Sequence, residues 1–208
     1  MDKTAKADIK HIRQRTQFTC MATSMSACLY ALDIDVSEDD VNKVMGAAPL
    51  RGASWEDALA CAQYFGCRGT LIAPCTVGQL KSWIDRGLPA MIAWNPEGRP
   101  WSHASAVFDV TEKNIHIMDP NIPDPQQTDR SVTHEEFYKK WFEDRGNYLV
   151  RRPALLLDRE VTHDGVQKLA NGGPLSTIRD YGIPADDFSH LLDDEASMPL
   201  EMYPRKRL

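Results

Sequence analysis

The sequence predicts an α+β domain, with helices at the N-terminal side packed on a mainly antiparallel sheet. Two observations lead there: apolar residues recur at helical spacing through the first third of the chain, and alternating strand patterns joined by short polar turns dominate after about residue 69. Strands joined by short turns instead of crossover helices argue against a doubly wound fold.

The first helix follows Cys20. Met21, Met25, Cys28, Leu29 and Leu32 return every three or four positions, marking one apolar face that runs to about Ala31. Ser37 with Asp40 has the form of a capping box opening a helix through Met45, and Gly46 stops it. Ser54 with Asp57 repeats the device ahead of Trp55, Ala58, Leu59, Ala62 and Phe65, ending at Gly66. GTLIA at 69–73 is a short apolar run, and Thr76 caps a helix over VGQLKSWIDR that Gly87 closes before PAMIAW at 89–94. HASAVFDV at 103–110 and NIHIMD at 114–119, separated by Thr111, Glu112 and Lys113, read as an antiparallel hairpin. THEEFYKKWF at 133–142 reads as a capped helix, and NYLVRRPALLL from 147 supplies one or two closing strands.

From about Asp158 the periodicity fades. Gly172, Gly173, Pro174, Pro184, Pro199 and Pro204 punctuate a segment in which Asp186, Asp187, Asp193, Asp194 and Glu195 cluster. The expected organisation is a domain over 1–157 and a weakly structured acidic extension over 158–208, which either wraps the domain or binds a protein partner.

Composition excludes several function classes. The chain has 208 residues and a formal charge of −6. A surface built to neutralise phosphate is not expected, so nucleic acid is not the anticipated partner. Five cysteines without a CxxC pair signal neither a closed disulfide framework nor a structural zinc, and no metal or cofactor is expected. The N-terminus MDKTAKADIKHIRQR has no apolar signal segment and no run long enough to span a bilayer follows, which predicts a cytoplasmic protein that does not engage membranes.

Cys20 stands where QRTQFT gives way to a helix. Unpaired N–H groups and the dipole at a helix start favour a thiolate, which makes a cysteine there a candidate nucleophile. A base is also required, with a third group to orient it. Of six histidines, His11 lies in the polar leader, His134 in a first helical turn, and His163 and His190 in the weakly patterned tail. His103 opens a strand after the turn-rich NPEGRP, where a side chain faces a cleft, whereas His116 has no obvious carboxylate partner. Asp119 ends the next strand of the hairpin, and an antiparallel hairpin sets the start of one strand beside the end of the next. His103 and Asp119 are therefore expected within hydrogen-bonding reach. For the developing oxyanion, the side-chain amide of Gln14 or Gln17 would join the backbone N–H of Cys20. Trp101, two residues before His103, is placed near the cleft as a substrate contact.

Taken together, Gln14 with Cys20 six residues on, GLPAMIAW, His103 in HASAV, Asp119 in IHIMDP and the helix EEFYKKWF resemble the papain-like cysteine peptidases. Within that group the chain is most similar to the C39-like peptidases, best known for cutting leader peptides from bacteriocins after a double glycine. The resemblance covers roughly residues 10–152. It implies a papain-like fold, a peptide or protein substrate, and a site of Cys20 as nucleophile, His103 as general base, Asp119 as orienter and Gln14 as oxyanion donor. Thr19 and Met21 depart from the acidic residue or Asn and the glycine common on either side of the family's cysteine, and no transporter domains are evident in the sequence.

The remaining cysteines (Cys28, Cys61, Cys67, Cys75) lie on apolar helix faces or beside turns and are read as structural, as are Trp55, Trp83, Trp94 and Trp141. Two functions of different class follow: a thiol hydrolase cutting a peptide or isopeptide bond, or a catalytically silent papain-like module whose C-terminal tail contacts a partner.

Overall fold

The computed structural model describes residues 6–96, 98, 102–122, 129–144 and 149–159; Trp101 and the extension from residue 160 lie outside the described residues. Among the described residues, five helices and eight strands follow one another, with the strands Asp129–Thr133 and Phe142–Asp144 added to the elements expected. They are α1 (Cys20–Tyr30), α2 (Glu38–Met45), α3 (Trp55–Tyr64), β1 (Cys67–Ile72), α4 (Val77–Ile84), β2 (Ala90–Trp94), β3 (His103–Val110), β4 (Asn114–Met118), β5 (Asp129–Thr133), α5 (His134–Lys140), β6 (Phe142–Asp144), β7 (Leu149–Arg151) and β8 (Ala154–Arg159).

Helix starts follow the capping chemistry. Ser54, Thr76 and Thr133 each accept a bond from the backbone N–H three residues on, and Asp57, Gln79 and Glu136 return it, which closes a full capping box at α3, α4 and α5. At α2, Ser37 caps the N–H of Asp40, and Gly46 terminates the helix at φ 70°, a left-handed backbone that disfavours any residue with a Cβ. α5 ends earlier than expected: Trp141 leaves the helical region at ψ 77°, so Phe142 opens β6.

The main sheet has the order β1-β8-β2-β3-β4-β5, and each of its pairings is antiparallel. β8 lies between β1 and β2, with Leu156 opposite both Thr70 and Ala90. β2 and the first four residues of β8 are buried, which is why both read as continuous apolar runs. β5 was not foreseen: DRSVT lies at the sheet edge with alternate residues exposed and carries little apolar signal.

α1 packs on β3 and β2, α3 on β1, α4 on β3, and α5 on β4 and β5. Trp55, Trp83, Trp94 and Trp141 all belong to the core, and Phe137 stacks against Trp141 with ring centroids 4.6 Å apart. The residues between 6 and 19 run along this body before entering α1. The Ala7 N–H donates to the Phe108 carbonyl and the Gln14 N–H to the Pro120 carbonyl, both over 2.9 Å.

Candidate active site

Three elements converge at the start of α1. Thr19 precedes it without a side-chain cap on the first turn, its hydroxyl being turned back to Thr16, so the helix start is left to backbone and site chemistry. Cys20, the first helical residue, is partly exposed, whereas Cys28, Cys61, Cys67 and Cys75 are buried, and none of the five is in a disulfide. The Cys20 thiol and the His103 ring line the same cleft, and His103 together with the backbone of Ala104 and Met21 acts on the thiol electrostatically.

The hairpin supplies the rest. Ala106 pairs with Met118, so the next residue, Asp119, falls opposite Ser105 on the face that His103 shares two residues away. His103 Nε2 lies 2.7 Å from Asp119 Oδ1, which leaves Nδ1 for the thiol. The Asn121 N–H also donates to Oδ1, over 2.9 Å. Arg130 on β5 faces the other oxygen, its Nε 2.6 Å from Asp119 Oδ2. Asp119 is shut away from solvent, with only 1% of its side chain exposed.

Electrostatics follow from these contacts. Burial pushes the Cys20 thiol up, but the hydrogen bond and charge of His103 outweigh it and bring the thiol below its ordinary value. Burial pulls His103 down, yet Asp119 and Cys20 together raise it to about 9. For Asp119 the same contest ends low, because His103, the Asn121 N–H and Arg130 outweigh burial. A thiolate facing an imidazolium whose far nitrogen rests on a carboxylate is a nucleophile with a proton store beside it.

Cys20 and His103 open onto a cleft of about 480 Å³, lined further by Arg51, Asp57, Glu143 and Asp144. Its far wall is β6, tied to the α3 entry by Trp55 Nε1 donating to Glu143 Oε2 over 2.8 Å and to the residue before His103 by the Asp144 N–H donating to Ser102 Oγ over 2.8 Å.

The residues singled out from the sequence are distributed unevenly. Cys20, His103 and Asp119 form one chain of contacts. Gln14 is not among the cleft-lining residues, and its Nε2 donates to the Thr16 carbonyl over 2.7 Å. Gln17 is exposed, and His116 sits opposite Ser131 in the β4–β5 ladder. Sequence reading missed Arg130 and the Ser102, Trp55 and Glu143 ties. Only Arg130 left a trace, as the inward position of an alternating DRSVT just before the capping Thr133.

The family model described as the Peptidase_C39 like family matches residues 6–149. The chain belongs to the C39-like peptidase family. Solved structures agree on the fold of this C39-like chain. A double glycine motif protease from an AMS/PCAT transporter, in complex with its leader peptide, superposes with a TM-score of 0.56 at 18% identity, covering 74% of this chain and 93% of its own. The peptidase domain of Streptococcus ComA, described as a bifunctional ABC transporter involved in quorum sensing, gives 0.58 at 14%, covering 76% and 100%. A C39-like peptidase from Bacillus anthracis gives 0.58 at 14%, covering 76% and 99%. No curated protein sequence matches. No helix among the described residues is long and apolar enough to cross a membrane.

Proposed function

We propose that this C39-like chain is an active cysteine peptidase that cuts a peptide or isopeptide bond with Cys20, His103 and Asp119. The observation that carries this reading is the contact chain from thiol to imidazole to carboxylate, opening onto a cleft.

In the reaction, the Cys20 thiolate attacks the scissile carbonyl carbon and the oxygen takes the negative charge. The backbone N–H at Cys20 and the Gln14 amide stabilise that charge, Gln14 first releasing the Thr16 carbonyl. As the C–N bond breaks, His103 gives the Nδ1 proton to the departing amine and a thioester remains. His103, now neutral, takes a proton from water, whose oxygen attacks the thioester; the carboxyl product leaves and the thiolate returns. Asp119 holds the ring throughout without taking the proton.

The fold relative solved with a leader peptide supports a peptide occupant for the cleft. A broad peptide library, with Cys20→Ala alongside, tests the reading: cleavage lost in the variant is the expected result. One observation favours a silent binding module instead, namely the Gln14 amide already engaged by Thr16. Peptide binding without cleavage by the unmodified protein would establish that alternative.

A further inference from the structure

Asp119 is the most enclosed charged group of the site, and two cations reach it from opposite sides. His103 comes from β3 and takes Oδ1 at 2.7 Å; Arg130 comes from β5 and stands 2.6 Å from Oδ2. A buried carboxylate with one cation can still swing about its Cβ–Cγ bond, and the imidazole follows it. A second cation close to the other oxygen, here an ion pair at Nε without hydrogen-bond geometry, restrains the carboxylate by charge and offsets the cost of burying it.

We propose that Arg130 is a positioning residue of the site, locking the Asp119 carboxylate so that Oδ1 stays on His103. This rests on the peptidase reading of Cys20, His103 and Asp119. Register supports it: Arg130 pairs with Ile117, two positions before Asp119, so β5 carries the guanidinium to the end of β4. β5 is in turn fixed from outside, since the preceding Asp129 pairs with His11 in the stretch leading to Cys20. The charged groups about Asp119 are thus His103 from β3 and Arg130 from β5, with the Cys20 thiol of α1 beyond His103 and the His11–Asp129 pair beyond Arg130.

The sign of its effect follows. Without the guanidinium, a positive charge is removed from the buried network and Oδ1 is held less firmly on His103, so the imidazolium is set less well against the Cys20 thiol and the thiolate is less favoured. The pH at which Cys20 becomes reactive therefore rises.

The test is the rate of Cys20 alkylation by iodoacetamide against pH, located by peptide mapping, which needs no peptide substrate. In Arg130→Gln the midpoint should move up by about half a pH unit or more, the scale of one positive charge removed from a network that reaches the thiol through Asp119 and His103. Arg130→Lys, keeping the charge, should restore most of it, and Arg130→Gln should add no shift to Asp119→Asn. An unchanged midpoint in Arg130→Gln, or an equal shift on top of Asp119→Asn, overturns the inference and leaves the peptidase reading standing. An ordinary thiol profile in the unmodified protein overturns the peptidase reading and the inference with it. If Arg130→Gln fails to fold, rescue by Asp119→Asn supports the inference, because the defect is then the bare carboxylate; failure to rescue overturns it.

Discussion

The backbone N–H of Gln14 donates to the carbonyl of Pro120 over 2.9 Å, fastening the chain that arrives at Cys20 to the chain that leaves Asp119. This bond is independent of the Gln14 side chain, which makes the side chain's own part separable. Gln14→Ala should keep the fold, as judged by circular dichroism and thermal unfolding, while lowering peptide turnover by about 10²-fold through loss of an oxyanion donor. Gln17→Ala, at an exposed position, should leave turnover unchanged. The reverse pattern would transfer the role to Gln17.

Thiol reactivity should separate the cysteines sharply. Burial pushes Cys61 up to about 12 and Cys67 up to about 11, and raises Cys28 further still, while Cys20 alone among these four is lowered. Limiting iodoacetamide on the native protein at pH 7 should label Cys20 first, and His103→Ala should slow that labelling toward the rate of an ordinary thiol. Early labelling at Cys67 would count against the site.

Hydrolysis should hold up to about pH 9 and fall beyond it, as His103 loses the proton it must give to the leaving amine. The same group links stability to pH. Its folded value of about 9 is above the ordinary 6.5, so its stabilising contribution is complete below about pH 6.5 and lost as pH rises through about 9. Asp119, depressed in the fold, stabilises above the ordinary carboxyl range and ceases to do so as pH falls through its lowered value. Melting temperatures of wild type and His103→Ala across pH 6 to 10 should converge at the alkaline end; a constant gap would contradict this assignment.

The cleft wall offers a substitution remote from the reacting atoms. Trp55→Phe keeps a buried ring but removes the 2.8 Å bond to Glu143. Stability should fall by about 1 kcal/mol, and KM should rise more than kcat falls because β6, still paired with β7 and tied to Ser102, loses its tie to the α3 entry. Equal loss in both parameters would place the effect on the chemistry instead.

How far the sequence carries depends on whether the information is local. Capping residues such as Ser54 and Thr76, the polar turn at 111–113 and the helical apolar face after Cys20 are written within a few positions of each other, and the elements they announce are present. His103 and Asp119 were legible as neighbours because one short hairpin joins them. Arg130 was not, since its partner is decided by which strand pairs with β4, and DRSVT has too little apolar contrast to announce a strand. The Gln14 side chain was also beyond reach: a carbonyl two residues away competes for its amide, and spacing to Cys20 says nothing of that. β8 could be read as a strand, but its berth between β1 and β2 could not.

That berth bears on how the protein is made. Among the described residues, β1 has no partner in the main sheet other than β8, which is about ninety residues further along the chain. On the ribosome, Cys20 and His103 emerge well before the strand that completes the sheet between β1 and β2, and long-range pairing of this kind closes late. On the proposed assignment, a nascent chain would carry Cys20 and His103 for some time before β8 completes the sheet, and any cutting would begin only when translation of the domain is nearly finished.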